Sequence, residues 1–167
     1  MKKIIFTLLL GFTFIGFSQN TLIPDPNFEL ALIDLGLDTL PINGSVLTAD
    51  IIDETDLVIS NKGITNLTGI EGFIALTELY CDFNQLTSLD VSNNTALTTL
   101  FCNSNQLTGL DVTANTALQI LLCDNNKLIS LDVMENTQLN FLNCFSNQLT
   151  SLDVSNNTAL TLLRCYD

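Results

Sequence analysis

Cysteine carries the most reactive side chain in this sequence, and the cysteines recur at one fixed spacing. Each lies 21 residues from the next, at Cys81, Cys102, Cys123, Cys144 and Cys165. Such thiols can form disulfides, bind a metal or remain as small buried apolar side chains. Stacked equivalent residues keep their Cβ atoms about 4.8 Å apart, beyond the usual disulfide range of about 3.5–4.5 Å. A straight row also does not converge on a tetrahedral metal, so we expect free buried thiols without disulfides.

Four aspartates form a second series with the same spacing, at Asp90, Asp111, Asp132 and Asp153. We expect their carboxylates to face solvent about one strand spacing apart, where they repel one another. Carboxylate oxygens are preferred ligands of Ca²⁺, so weak calcium binding is one interpretation of this row. The sequence has no calcium-binding loop of the EF-hand or RTX type. An unoccupied, solvated row of charges is therefore the favoured interpretation.

The other residue types needed for catalysis are absent or unpaired. The chain has no histidine. No motif pairs a nucleophile with a general base, and glycine-rich phosphate loops and metal-ligand motifs are missing. Carboxylates on regular strands are solvated rather than held in a cleft that tunes their pKa. The sequence therefore predicts a protein that is not an enzyme and that uses no cofactor.

The elements that position both series belong to a repeat of 21 residues. Its units begin at Leu76, Leu97, Leu118, Leu139 and Leu160, and the last unit is shortened. Within a unit, Leu79-Tyr80-Cys81 and Leu89-Asp90-Val91 both alternate apolar residues with a variable one, as strands do. Asparagines such as Asn84 and Asn94 follow each half and suit turns, where their amides can bind main-chain groups. The pattern predicts a mainly β repeat solenoid with short strands on both sides of each coil.

The repeat resembles the leucine-rich repeat, whose core pattern is LxxLxLxxNxL. Leu76, Leu79, Cys81, Asn84 and Leu86 occupy that pattern, with cysteine at the third apolar position. The sequence is similar to secreted bacterial leucine-rich repeat proteins with short repeats, of the internalin-like kind, over residues 57–167. The resemblance implies a leucine-rich repeat fold and a role in binding other molecules, but it does not specify which ones.

Residues 1–18 have the pattern of a signal peptide. Lys2 and Lys3 precede an apolar stretch, and small residues stand near Ser18. The apolar stretch is short for a membrane span of about 20 residues. Cleavage would leave 18 acidic and three basic residues, a formal net charge of −15. We expect a secreted or cell-surface protein that binds no nucleic acid and does not insert into membranes, because such a surface repels polyanions.

Residues 19–56 are predicted to form an N-terminal cap with one helix at about 26–36. Asp25 suits the N-cap, Pro26 the first helical position and Gly36 the stop. The segment from Ile42 to Glu54 is predicted to be irregular, with a turn at Asn43-Gly44. The helix would cover the open end of the solenoid.

The solenoid is predicted over residues 57–167, without a second domain. A degenerate first coil aligns with the next one at an offset of 22, which pairs Leu57 with Leu79. Four regular coils follow, and then a truncated last coil. Because that coil has no closing unit, we expect either that the chain continues or that a partner covers this end, which also allows self-association there.

Variation between units is confined to one side of the coil. Three outward positions on the cysteine side change from unit to unit, whereas the opposite side is nearly uniform. Exposed aromatic and apolar residues on such a side are typical of a recognition surface. The candidate binding residues are Tyr80, Phe101, Ile120, Leu122, Phe141 and Phe145. The sequence favours an extracellular module that binds a protein or glycan; the alternative is a structural spacer or assembly element of a larger cell-surface protein.

Overall fold

The protein was analysed as a computed structural model, which describes residues 19–165. The proposed signal peptide, residues 1–18, therefore lies outside the described residues. The N-terminal part comprises β1 (Asn20–Leu22), α1 (Pro26–Asp34), β2 (Ser45–Leu47) and α2 (Thr48–Ile51). The repeats contribute the parallel strands β3 (Asp56–Val58), β4 (Glu78–Tyr80), β5 (Thr99–Phe101), β6 (Ile120–Leu122), β7 (Phe141–Asn143) and β8 (Leu162–Arg164). A short 3-10 helix (Ile70–Gly72) lies between β3 and β4.

Helix α1 begins where the capping residues indicate. Oδ1 of Asp25 accepts hydrogen bonds from the backbone N–H groups of Asn27 (2.9 Å) and Phe28 (3.1 Å), and Pro26 occupies the first turn. The helix buries Phe28, Ala31 and Leu32. Its C-cap is Leu35, and Gly36 follows with φ of 80°. The helix ends two residues earlier than expected, because the left-handed glycine turns the chain away.

The segment after α1 is more regular than the sequence pattern indicates. The prediction of irregular structure from Ile42 to Glu54 is wrong, because β2 and α2 lie within it and β2 pairs with β1 in an antiparallel hairpin. The buried carboxylate of Glu29 accepts hydrogen bonds from the N–H groups of Asn43 (2.6 Å) and Gly44 (2.8 Å). A contact between a helix and a distant turn sets this geometry, and local periodicity does not reveal such a contact.

The six repeat strands form one parallel sheet in the order β3 to β8. Its register follows the repeat: Leu79 pairs with Leu100, and the predicted offset of 22 appears between Leu57 and Leu79. The central residue of each strand from β3 to β7 is buried. Because side chains alternate along a strand, the two flanking residues point outward. The sheet thus presents two parallel rows of outward side chains, one residue from each strand.

The interior is one continuous apolar core shared by the cap and the coils. Leucines, valines and four of the cysteines stack in columns with exposures below 10%. At Gly69 the cap approaches the first coil so closely that a Cβ would lie 2.5 Å from the carbonyl oxygen of Leu22. Glycine is therefore required there, and its φ of 106° excludes most other residues as well.

The opposite side of the coil is less regular than predicted. The structure confirms the mainly β solenoid, but in residues 19–165 the second side shows isolated parallel bridges, Asp90 to Asp111 and Asp111 to Asp132, instead of strands of several residues. Oδ1 of Asp90 accepts a hydrogen bond from the N–H of Ser92 at 3.0 Å, which turns the chain immediately after the paired residue. A single residue per coil is therefore left to pair.

The asparagines connect neighbouring coils. Nδ2 of Asn84 donates to the carbonyl oxygens of Ile59 and Cys81, while its Oδ1 accepts from the N–H groups of Lys62 and Ile64, all at 2.9–3.0 Å. The second series behaves similarly: Asn115 donates to Val91 (3.0 Å) and Asn94 (2.9 Å). These buried amides satisfy carbonyl groups that the turns leave unpaired. None of the helices in the described part of the chain is long and apolar enough to cross a membrane.

Candidate functional site

The candidate site is the outward face of the sheet, referred to below as the variable face. One row runs along the first residue of each strand and includes Glu78, Ile120 and Phe141. The other runs along the third residue and includes Tyr80, Phe101 and Leu122. Strands lie about 4.8 Å apart in a sheet, so neighbours within a row are in side-chain contact. Five of the six predicted binding residues therefore lie on one continuous surface.

The two aromatic residues of the third-residue row pack against each other. The ring centroids of Tyr80 and Phe101 are 4.9 Å apart with an interplanar angle of 73°, the edge-to-face geometry that aromatic pairs favour. Both side chains are half-buried. The hydroxyl of Tyr80 donates a hydrogen bond of 2.5 Å to Oε2 of Glu78. This bond raises the pKa of Tyr80 above its ordinary value, and burial and the charges of Glu78 and Asp56 raise it further.

Phe145 lies apart from the other five predicted residues. It follows β7 in the turn and is 43% exposed. It lines an open depression of about 490 Å³ together with Asp124, Asn143 and Arg164. Nδ2 of Asn143 donates to Oδ1 of Asp124 at 2.8 Å, which orients the amide and the carboxylate on this surface. The depression offers hydrogen-bonding groups beside an exposed aromatic ring.

Sequence reasoning missed three residues of this region. Val58 is 55% exposed and lies beside Tyr80 in the third-residue row, and Asp56 pairs with Glu78 in the first-residue row. The offset of 22 between the first two coils contains the signal that would have found both. Phe83, 58% exposed, occupies the turn after β4. Comparing the eighth position of each unit would have revealed it, since a large apolar residue occurs there in this unit alone.

The aspartate row performs a structural task in each turn. Oδ1 of Asp90, Asp111, Asp132 and Asp153 accepts a hydrogen bond of 2.9–3.0 Å from the N–H two residues later. Such bonds hold the pKa of Asp90, Asp111 and Asp153 below the ordinary value. Within residues 19–165, no group of three or more His, Cys, Asp or Glu side chains is arranged to hold a metal ion. Weak calcium binding by this row remains a prediction.

The cysteine row lies inside the coils. The side chains of Cys81, Cys102 and Cys123 are fully buried, Cys144 is 1% exposed, and Cys165 is partly buried; all five are free thiols. Burial raises the pKa of Cys144 to about 11 and that of Cys81, Cys102 and Cys123 well above the ordinary value. Because the reactive form of cysteine is the thiolate, these side chains act as core residues.

The last described coil is less covered than the others. Leu152, Val154, Leu160 and Leu163 are only partly buried, whereas their equivalents in the earlier coils are buried. Tyr166 and Asp167 lie outside the described residues. Self-association through this coil stays a prediction.

Comparison with known proteins places this geometry among bacterial internalins. No family model matches the chain. Over 41 residues it is 46% identical to internalin J of Listeria monocytogenes serotype 4b (strain F2365), a stretch that is 25% of this chain and 4% of that protein. The functional domain of InlJ from Listeria monocytogenes, which includes a cysteine ladder, matches with a TM-score of 0.80 and 42% identity. That match covers 89% of this chain and 33% of the other.

A second structure supports the fold. Internalin C2 from Listeria monocytogenes strain 4b F2365 matches with a TM-score of 0.66 and 23% identity, over 89% of this chain and 78% of that one. At this identity the likeness concerns the fold alone. The chain therefore spans a small part of the curated relative and a third of the InlJ structure. These matches confirm the internalin-like leucine-rich repeat solenoid predicted from the sequence.

Proposed function

We propose that this internalin-like leucine-rich repeat chain is a non-catalytic extracellular binding module that engages a protein or glycan through the variable face. One observation carries the proposal: the parallel sheet aligns the positions that differ between coils into one surface with adjacent aromatic and apolar side chains. The opposite side repeats the same residues from coil to coil. A surface that only maintained the solenoid would repeat on both sides.

The chemistry of the surface supports binding over catalysis. Aromatic side chains at the centre of a surface supply much of the binding energy in protein complexes. Tyr80 and Phe101 are held rigidly by their mutual contact and by the hydrogen bond to Glu78, which lowers the entropy lost on binding. Among residues 19–165, no histidine and no tuned nucleophile accompany them. Export by residues 1–18 would place this face outside the cell.

The test replaces four residues of the variable face with serine: Phe101, Leu122, Phe141 and Phe145. A matched control replaces four exposed apolar residues elsewhere: Leu40, Ile74, Ile129 and Met134. Purified variants are assayed on glycan arrays and against panels of extracellular proteins, with circular dichroism to verify folding. We expect the first variant to lose binding and the control to retain it. Equal binding by both would refute the proposal.

The same variants separate binding from assembly. If the chain is a spacer or assembly element, the serine variant changes the oligomer size measured by light scattering and leaves capture unaffected. The binding proposal predicts an unchanged size. Since both quantities are measured on one sample, one experiment distinguishes the two roles.

A further inference from the structure

We infer that the partner of the variable face is a basic segment of another protein that also carries apolar side chains. This inference rests on the proposed function and specifies its partner. It starts from the third-residue row, in which Val58, Tyr80, Phe101 and Leu122 come from four adjacent strands. With strands about 4.8 Å apart, the row is about 14 Å long. That length accommodates four or five residues of an extended polypeptide.

Carboxylates flank this apolar row on both sides. Asp56 and Glu78 are register partners on β3 and β4, so their carboxylates are adjacent on one side of Tyr80. Asp82 and Asp124 follow β4 and β6 on the other side. The carboxylates of Asp56 and Glu78 are close enough to Tyr80 to raise the pKa of its hydroxyl. An occupant of the row would therefore contact negative charge along both edges.

The protein itself does not neutralise these charges. The described residues include 17 acidic side chains and three basic ones, Lys62, Lys127 and Arg164. Their one ion pair joins Nζ of Lys62 to Oδ2 of Asp34 at 2.9 Å, on the cap. The carboxylates beside Tyr80 are thus without cationic partners in the described part of the chain. A neutral or acidic occupant would desolvate them without compensation, which is unfavourable.

A basic occupant resolves this cost. Lysine or arginine side chains can extend from a bound segment to the flanking carboxylates while apolar side chains pack on the row. The same cations can lie over the faces of Tyr80 and Phe101, where aromatic rings attract positive charge. Sulfated or sialylated glycans carry the wrong charge, and neutral glycans leave the carboxylates uncompensated. The charge pattern therefore favours a polypeptide.

The probes are three fluorescently labelled ten-residue peptides: one of lysine and leucine, one with glutamate in place of lysine, and one with serine in place of leucine. Binding is measured by fluorescence anisotropy at low and physiological salt. The test variant is Asp56→Asn with Glu78→Gln, which removes two charges and keeps the side-chain shapes. The matched control is Asp53→Asn with Glu135→Gln, two exposed carboxylates away from the row.

We expect the lysine and leucine peptide to bind, and the other two to bind at least tenfold more weakly. The test variant should lower its affinity about fivefold, as removal of two partly exposed charge pairs predicts. The control should change it less than twofold. Equal losses in the test and control variants would show a general charge effect and overturn the inference.

A parallel arm distinguishes this inference from the proposed function. Wild-type protein and the variant with Phe101→Ser and Leu122→Ser are assayed on a glycan array. If a glycan binds, the serine variant abolishes that binding and the lysine and leucine peptide does not bind, the variable face is a binding surface but its partner is not basic. If the face binds neither peptide nor glycan nor any protein of the panel above, both the inference and the proposed function fail.

Discussion

The side-chain amide of Asn105 joins two successive coils. Its Nδ2 donates to the carbonyl oxygens of Cys81 (3.0 Å) in the preceding coil and Cys102 (3.1 Å) in its own coil. Its Oδ1 accepts from the N–H of Leu86 at 3.0 Å. One side chain thus satisfies three buried main-chain groups, and the same arrangement recurs in each regular coil.

Replacing Asn105 with alanine should therefore be strongly destabilising. The change leaves one N–H and two carbonyl groups without these bonds, so we expect a loss of about 2–4 kcal/mol in the free energy of unfolding. Urea denaturation followed by circular dichroism measures it. Asn103→Ala is the control, because that side chain lies two residues away and is more exposed. Similar losses in both variants would contradict the structural role assigned to Asn105.

The attachment of the cap to the first coil should depend on pH through Asp25. Its Oδ2 accepts from the N–H and hydroxyl of Thr65 (2.8 and 2.6 Å) and from the N–H of Asn66 (3.0 Å). Burial raises the pKa of this carboxyl, but the hydrogen bonds from Thr65, Phe28 and Asn27 outweigh it and hold the pKa below its ordinary value of 3.8. The carboxylate therefore stabilises the folded state above that value, and this contribution is lost as the pH falls through the folded-state pKa.

Asp25→Asn tests this dependence. Its amide nitrogen cannot accept the bonds from Thr65 and Asn66, so we expect a loss of about 2 kcal/mol at pH 7. The fall in melting temperature on acidification should also be smaller than in the wild type. Thermal unfolding across the acid range gives both values, with Asp50→Asn as an exposed control. A variant with the wild-type acid profile would refute the role of Asp25.

Phe83 adopts a backbone conformation that its residue type disfavours. Its φ is 54°, in the left-handed region, where the equivalent residues in other coils are Asn61, Ser104, Asn125 and Ser146. Asparagine tolerates this region better than phenylalanine does. We expect Phe83→Asn to raise the free energy of unfolding by about 1 kcal/mol. Phe145→Asn, an exposed phenylalanine outside the positive-φ set, serves as control and should not stabilise.

Thiol reactivity should follow position along the cysteine row. We expect Cys81, Cys102 and Cys123 to resist iodoacetamide in the folded protein, because they are fully buried and burial raises the pKa of each thiol. The partly buried Cys165 should react first. Peptide mass spectrometry after timed labelling measures each site, and labelling in guanidinium chloride should modify all five. One common rate for all five thiols in the folded state would disprove the buried row.

The sequence by itself determined the solenoid, the register and the inward rows, because a 21-residue period forces equivalent residues into the same position of successive coils. It also identified five of the six predicted residues that lie on the sheet face, since side chains alternate along a strand. Only the tertiary structure decided the features that depend on distant contacts. Glu29 orders the hairpin of the cap, the Asp90 turn reduces the second side to bridges, and Val58 joins the variable face through its pairing with Tyr80. Periodicity encodes what repeats, whereas these contacts occur where the repeat begins or turns.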